Sequence, residues 1–571
     1  MQIASQINLK SVSLSGRWLP PFLAFVAGTL ALLPALSVGI PFNNDLANHY
    51  HFALPFYDAI AGGDFYPGWL STSNQGYGDP LFRFYPPSLY YLLALARRVT
   101  GDWYAASLSV FTLLSILGAL GAYFWASGFL PRHFAAWAGV LYAFMPYRVA
   151  ELYQAAQLAE FAAGVTVLFA LAFTTRICKR ESCLNVGGLA ASYGLLILTH
   201  LPMAVLASIT LLVYALLCLK DHLKLRTLVQ LFCGAILGLS ASAFYWITVL
   251  TEMKWIIGDG VNPDPLLDYR YNFIFSTFSP EKNNTIWWMN ILTVFTLVMC
   301  IPAVSLLSKK NHLSSRRDII SVAIVLFFTL LMATPLSKPL WAVIPALQQT
   351  QHPFRWLAVT SAVVPLLIAA SIPWWWKTFQ GKYRSIALAL AGLVLISVTF
   401  VISQVIRPAR YLSHSEFAQI ITPLKESPSI VQWLPIWAMG AAQGKQSYEK
   451  IPPLRDSALV EAGERSTSVI SWEPLHRLFK VDSGKPIEAR MRTLYYPHWV
   501  ATANGELLPA RADHDGVLLI SVPEPSVTVS LEFQEPTRTR VAAIVSGISW
   551  TLLGSLFIFG WLKRTRRLNA T

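Results

Sequence analysis

The sequence predicts an all-α polytopic membrane protein of about twelve transmembrane helices, with a mainly β region ahead of the last one. Three observations carry this. Of 571 residues, 54% are hydrophobic and 13% charged, with a mean hydropathy of +0.48; a soluble domain carries about 25% charged residues. Apolar runs of spanning length recur along the chain. The basic residues behind the net charge of +14 cluster between those runs, as the positive-inside rule requires. That placement argues against nucleic-acid binding.

The first run, Trp18 to Val38, follows Lys10 and Arg17. Its length predicts an uncleaved helix, although Ala35-Leu36-Ser37 weakly resembles a cleavage site. A polar, aromatic loop follows over residues 39–102. Its Trp and Tyr residues suit the membrane–water boundary, so it is expected to lie on the membrane surface. Within it, Asn44 or Asp45 is the expected N-cap of a helix with Asp45 and His49 on one face. Pro55 should kink or end that helix, and Gly62-Gly63 should stop it. Pro87–Val99 is too short to span comfortably and reads as an amphipathic surface helix.

Further spans are expected at Trp103–Ser127, His133–Val149, Tyr153–Thr175, Leu184–His200, Met203–Leu219 and Leu228–Leu250. After a polar loop to Thr285 come Ile286–Leu307, Ile319–Thr334, Phe354–Trp376, Ser385–Ile406 and finally Val541–Leu562. With the N-terminus in the cytoplasm, about twenty basic residues, Lys220, Lys309 and Lys310 among them, fall inside. Both termini are then cytoplasmic. Residues 1–405 form a transmembrane module, 406–538 an extracytoplasmic region, and 539–571 the last helix with a basic tail. Alternating runs at Val517–Val522 and Val527–Phe533, with the turn signal Asn504-Gly505, predict a small antiparallel sandwich in the second half of 406–538. The part before it, Arg407 to Gly463, reads as mixed and partly helical.

The five cysteines, Cys178, Cys183, Cys218, Cys233 and Cys300, lie in or beside apolar runs, so disulfides cannot staple the region near the C-terminus. Cys178 and Cys183 lack neighbouring histidines for zinc.

Ionisable groups near membrane depth are costly and need an explanation. Separate segments deliver Asp45, His49, Asp79, Arg148, Glu160, His200, Glu252 and Arg355 to the outer side. All but Glu252 also have a plainer reading. Asp45 could be a helix cap, His49 a surface residue and Asp79 a turn former. Arg148 and Arg355 could snorkel, Glu160 could pair with Arg148, and His200 could be structural. Trp374-Trp375-Trp376 reads as an interfacial belt.

Several motifs carry a resemblance. They are Asp45-x-x-x-His49, Gly76-Tyr77-Gly78-Asp79-Pro80 with Phe84-Tyr85-Pro86-Pro87, and Pro146-Tyr147-Arg148 with Tyr153 and Glu160. Phe244-Tyr245-Trp246 before Glu252, Gln351-x-Pro353-Phe354-Arg355-Trp356, and Tyr495-Tyr496-Pro497-His498-Trp499 with Asn504-Gly505 complete the set. In order and content the chain resembles the GT-C membrane glycosyltransferases. More closely, it is similar to bacterial YfhO-like proteins and those labelled membrane protein 6-pyruvoyl-tetrahydropterin synthase-related. Nothing in the residues suggests pterin chemistry. The first loop has no Asp-x-Asp pair, and His498 stands where the pattern has Gly.

The resemblance implies transfer of a sugar from a polyprenyl-phosphate donor to a glycan, lipid or polymer acceptor outside a bacterial cytoplasmic membrane. Asp45 is then the candidate base. Arg355 and Arg148 would hold phosphate, and His49, Asp79, Glu160, His200 and Glu252 would line the substrate. No cofactor or metal is required, though a divalent cation is compatible, and no nucleotide-binding loop is present. A transporter or flippase of a lipid-linked sugar is the alternative, with a non-catalytic scaffold third.

Overall fold

The computed structural model describes residues 14–219, 224–258, 267–307, 316–426, 430–442 and 458–568. Lys10, Lys220, Lys309 and Lys310 of the basic clusters lie outside these residues. The protein is a helical polytopic membrane protein. Among the described residues seven helices are long and apolar enough to cross a membrane, or nine if each of two bent pairs is one span.

Prolines and a positive-φ residue interrupt several of the predicted runs. The run His133–Val149 breaks at Met145, because Pro146 disfavours helix in the residue before it and starts a new one. The result is Arg132–Ala143 followed by Pro146–Tyr153. The next span starts at Leu158 rather than Tyr153, after a corner in which Ala156 has φ +52°. Trp18–Val38 divides into Leu14–Leu30 and Leu33–Val38. Leu225–Ala241 bends by 69° into Ala243–Trp255, and Arg317–Ala333 by 82° into Pro335–Val343.

The loop after the first helices is anchored at both ends. Strand β1 (Ile40–Phe42) pairs antiparallel with β2 (Arg410–Leu412). Gly39 has φ +137° there, and a Cβ on it would lie 2.3 Å from the Leu412 carbonyl oxygen, so only glycine fits. The helix Asn44–Ala61 follows, capped by Asn43 rather than by Asn44 or Asp45: the Asn43 side chain accepts from the Asp45 amide at 3.4 Å. It runs through Pro55 and stops at Gly62. The expected amphipathic helix is Ser88–Thr100, ended by Gly101 in the left-handed conformation. Asp102 then caps Trp103–Ala126 through the Ala105 amide, 2.7 Å from Oδ2.

The β region lies between the helix Lys382–Ile406 and the final apolar helix Thr537–Leu568. Its strands are β3 (Val460–Glu461), β4 (Thr467–Trp472), β5 (His476–Val481), β6 (Ile487–Leu494) and β7 (Trp499–Ala503). They continue as β8 (Glu506–Leu508), β9 (Ala510–Ala512), β10 (Val517–Val522) and β11 (Val527–Phe533). All pairings are antiparallel, in sheets of order β3-β6-β10-β9 and β4-β5-β11-β7-β8. Asn504 (φ +53°) and Gly505 (φ +85°) form the β7–β8 turn. Inward residues of both sheets share one core, which also takes Trp69 and Tyr77 of the first loop. These two aromatics, 1% and 0% exposed, therefore plug the loop into the β region rather than resting on a membrane surface.

Candidate functional site

The site is assembled at helix ends. Asp45 occupies the first turn of Asn44–Ala61, and His49 lies one turn later on the same face. The Asn43 side chain donates to the Gln154 carbonyl, which ties this helix start to the corner before Leu158–Lys179. Glu160 stands in the first turn of that second helix and is 1% exposed. Arg355 ends a short 3₁₀ turn opened by Pro353, directly before Trp356–Thr378. His200 is the break between Cys183–Thr199 and Leu201–Leu219.

Arg355 and Glu160 form the rigid centre. Arg355 Nε donates to Glu160 Oε2 at 3.0 Å, Tyr147 OH donates to Glu160 Oε1 at 2.8 Å, and Arg355 also donates to the Thr350 carbonyl. Asp45 lies within electrostatic reach of both Arg355 and Glu160. Burial pushes its carboxyl up to about 6, while Arg355 and a hydrogen bond with Asn48 pull the other way. His49 is buried; its Nδ1 is 2.9 Å from Tyr90 OH, and burial pushes its imidazole down to about 4. Tyr85 lies in the fields of Asp45 and Arg355, with its ring edge-on to that of Tyr90 at 5.7 Å. His200 is in reach of Arg355, His49 and His352. The site thus gathers Asp45, His49, Glu160, His200 and Arg355 from the sequence-based set. It adds Tyr85, Tyr90, Tyr147 and His352, which sequence reasoning missed. Tyr85, Tyr147 and His352 stand within motifs already noted, whereas Tyr90 stands outside them.

Three further candidates lie elsewhere. Arg148 is 4% exposed, with its guanidinium 3.4 Å from the Phe161 ring centroid and paired to Glu151 at 3.4 Å. It fills the space left by Gly118 and Gly164, where a Cβ would meet its Nη atoms at 3.3 and 3.1 Å. Glu160 therefore pairs with Arg355, not with Arg148. Asp79 is fully buried in its own turn, accepting from the Leu81 amide at 3.1 Å and from Asn74 at 3.2 Å. Glu252 is fully buried in a clamp. It accepts from Arg83 at 2.6 and 3.0 Å, Tyr496 at 2.8 Å and Arg538 at 2.9 Å, and is 3.0 Å from His498 Nε2. Arg83 extends the clamp to Glu535 at 2.5 and 3.0 Å. Among the described residues no group of three or more His, Cys, Asp or Glu could hold a metal ion.

An apolar cleft of about 400 Å³ runs beside the site. Its lining leads from Ser88, Leu89 and Thr199, next to His200, to Phe173, Gly188 and Phe557.

Solved structures with similar chain paths are distant. One is ArnT from Cupriavidus metallidurans bound to undecaprenyl phosphate, with 13% identity, TM-score 0.38, 72% of this chain and 76% of that chain covered. The arabinofuranosyltransferase AftD from Mycobacteria has 16% identity and TM-score 0.43, over 70% of this chain and 28% of that one. The apo oligosaccharyltransferase of Archaeoglobus fulgidus has 11% identity and TM-score 0.38, over 78% and 61%. This chain thus spans less than two thirds of the length of the last two. No curated protein sequence matches it. A family model does match, over residues 82–410, more than half of the chain and a stretch that holds Tyr85, Glu160, His200 and Arg355. The chain belongs to the family described as 6-pyruvoyl-tetrahydropterin synthase related domain, membrane protein.

Proposed function

We propose that this protein is a membrane glycosyltransferase that moves a sugar from a polyprenyl-phosphate donor to a glycan, lipid or polymer acceptor outside a bacterial cytoplasmic membrane. The observation that carries the reading is the placing of Asp45, whose carboxyl burial pushes up to about 6, within electrostatic reach of Arg355, a guanidinium fixed by Glu160 and Thr350. In this reading the acceptor hydroxyl attacks the sugar C1 and gives its proton to Asp45 as the C1–O bond forms. The bond from C1 to the phosphate oxygen breaks, and Arg355 meets the charge that grows on the departing phosphate. Tyr147 holds Glu160, and Glu160 holds the guanidinium. The apolar cleft beside His200 suits the prenyl tail. No resident metal is needed, so transfer is expected to persist in EDTA.

The reading includes twelve spans with both termini in the cytoplasm, residues 1–405 as the transferase module, and 406–538 outside. A transporter would place its ionisable groups on broken helices near the membrane midplane; here they gather at helix ends. The test is incubation of the purified protein with radiolabelled polyprenyl-phosphate sugars and an envelope lipid or glycan fraction. Transfer by the wild type and none by Asp45→Asn supports it. Absence of transfer from every donor, with uptake of lipid-linked sugar into vesicles, would favour a transporter. Arg355→Lys should weaken donor binding as well as turnover, because a point charge replaces a two-pronged donor.

A further inference from the structure

Strand β5 turns Arg477, Phe479 and Val481 into the space between the two sheets. Arg477 is 1% exposed, and its guanidinium lies over the rings of Trp472 and Trp499, at 4.3 and 4.8 Å. Among the described residues its one hydrogen bond crosses to the facing sheet, from Nη1 to the Arg492 carbonyl of β6 at 3.3 Å. Among the described residues no carboxylate pairs with it. Burial alone acts on the guanidinium and pushes it down to about 9. Three buried polar atoms here lack partners: Arg477 Nε, Thr493 Oγ1 on the residue after Arg492, and Trp499 Nε1.

A buried cation without a counter-charge is strongly unfavourable, and aromatic ring faces offset only part of that. The unpartnered atoms are two N–H donors and a hydroxyl that can donate. A lining of donors suits an anion.

We propose that Arg477, Thr493 and Trp499 form a binding site for a small monovalent inorganic anion between the two sheets, and that its occupancy stabilises the β region. The site is independent of the transferase reading. The test uses full-length protein in detergent, exchanged into sodium gluconate and titrated with chloride or bromide at constant ionic strength. Melting is followed by tryptophan fluorescence. The wild-type Tm should rise saturably with the small anion. Thr493→Val and Trp499→Phe, which each remove one donor, should raise the half-saturating concentration about tenfold, and Arg477→Met should abolish the response. A wild-type Tm indifferent to the anion overturns the proposal. So does a titration shared unchanged by all variants, which would report an adventitious ion only. Should Arg477→Met fail to fold, the two donor variants decide: half-saturation unchanged in both overturns it.

Discussion

Asp45 sits where a helix cap belongs, yet Asn43 does the capping, so the carboxylate is left for other work. The folded protein holds the Asp45 proton up to about pH 6, against an ordinary value of 3.8. Between those values the native state binds more protons than the unfolded chain, so stability falls as pH rises through about 6. Asp45→Asn cannot ionise. Its Tm in detergent should therefore exceed the wild type at pH 8, with the difference closing toward pH 4. Its transfer rate should instead drop by about 10²- to 10⁴-fold. Gain in Tm with loss of turnover is the pattern of a base, and a simple packing residue would not show it. The wild-type rate should rise along an acid limb near pH 6 and then level; a limb below pH 5 would point to another group. His49, pushed down to about 4, stays neutral across that window. The sequence was most readable for residues in costly places: Glu160, in an apolar helix, was bound to have a partner. Which partner was not legible, because Arg148 and Arg355 are equally charged. Only the glycines at 118 and 164 show that Arg148 has a packing niche of its own.

At the scale of elements, the Arg83 clamp joins three parts of the chain. Glu252 ends the second half of a bent helix pair, Tyr496 and His498 belong to the β region, and Glu535 and Arg538 flank the start of the last helix. Tyr245 OH fixes the neighbouring Phe84 carbonyl at 2.7 Å, so the segment that carries Tyr85 is held from both sides. Arg83→Met would leave Glu535 without this partner and Glu252 with fewer donors in a buried place. Such a break typically costs about 3–5 kcal/mol, and it should appear as a lower Tm in detergent; an unchanged Tm would mean the clamp is not needed for stability. Arg83→Lys should recover only part, since lysine cannot fork to two carboxylates. Helices and strands were readable from apolar period and turn residues, and the β7–β8 turn and the stop at Gly62 stand where the residue types put them. The clamp was not readable. Arg83 and Glu535 are 452 residues apart, and no local pattern marks Arg83 as the partner of both Glu252 and Glu535.

For the whole molecule, the proposed topology makes a direct prediction. Reporter fusions after Gly444 and after Thr571 should report opposite compartments; the same compartment for both would remove the twelve-span arrangement. The number of spans was less legible than the elements. Hydropathy counts apolar residues but cannot see that Pro146 or Ser242 breaks a run into shorter helices. One contact between distant parts also sets the timing of biogenesis. β1 cannot pair until β2 exists, and Phe42 meets Arg410 across nearly the entire helical part of the chain. At ribosomal rates of about 5–20 residues per second, the interval is roughly 20–70 s. Throughout it Gly39–Phe42 waits with open hydrogen bonds, and the start of the Asp45 helix is held by the Asn43–Gln154 hydrogen bond without the β1–β2 pairing. Under the proposed function, the nascent chain then inserts its early helices among donor lipids before its site is complete. Catalytic competence would arrive as one of the last events of synthesis, and a chain stopped before Arg410 should accumulate in the membrane inert.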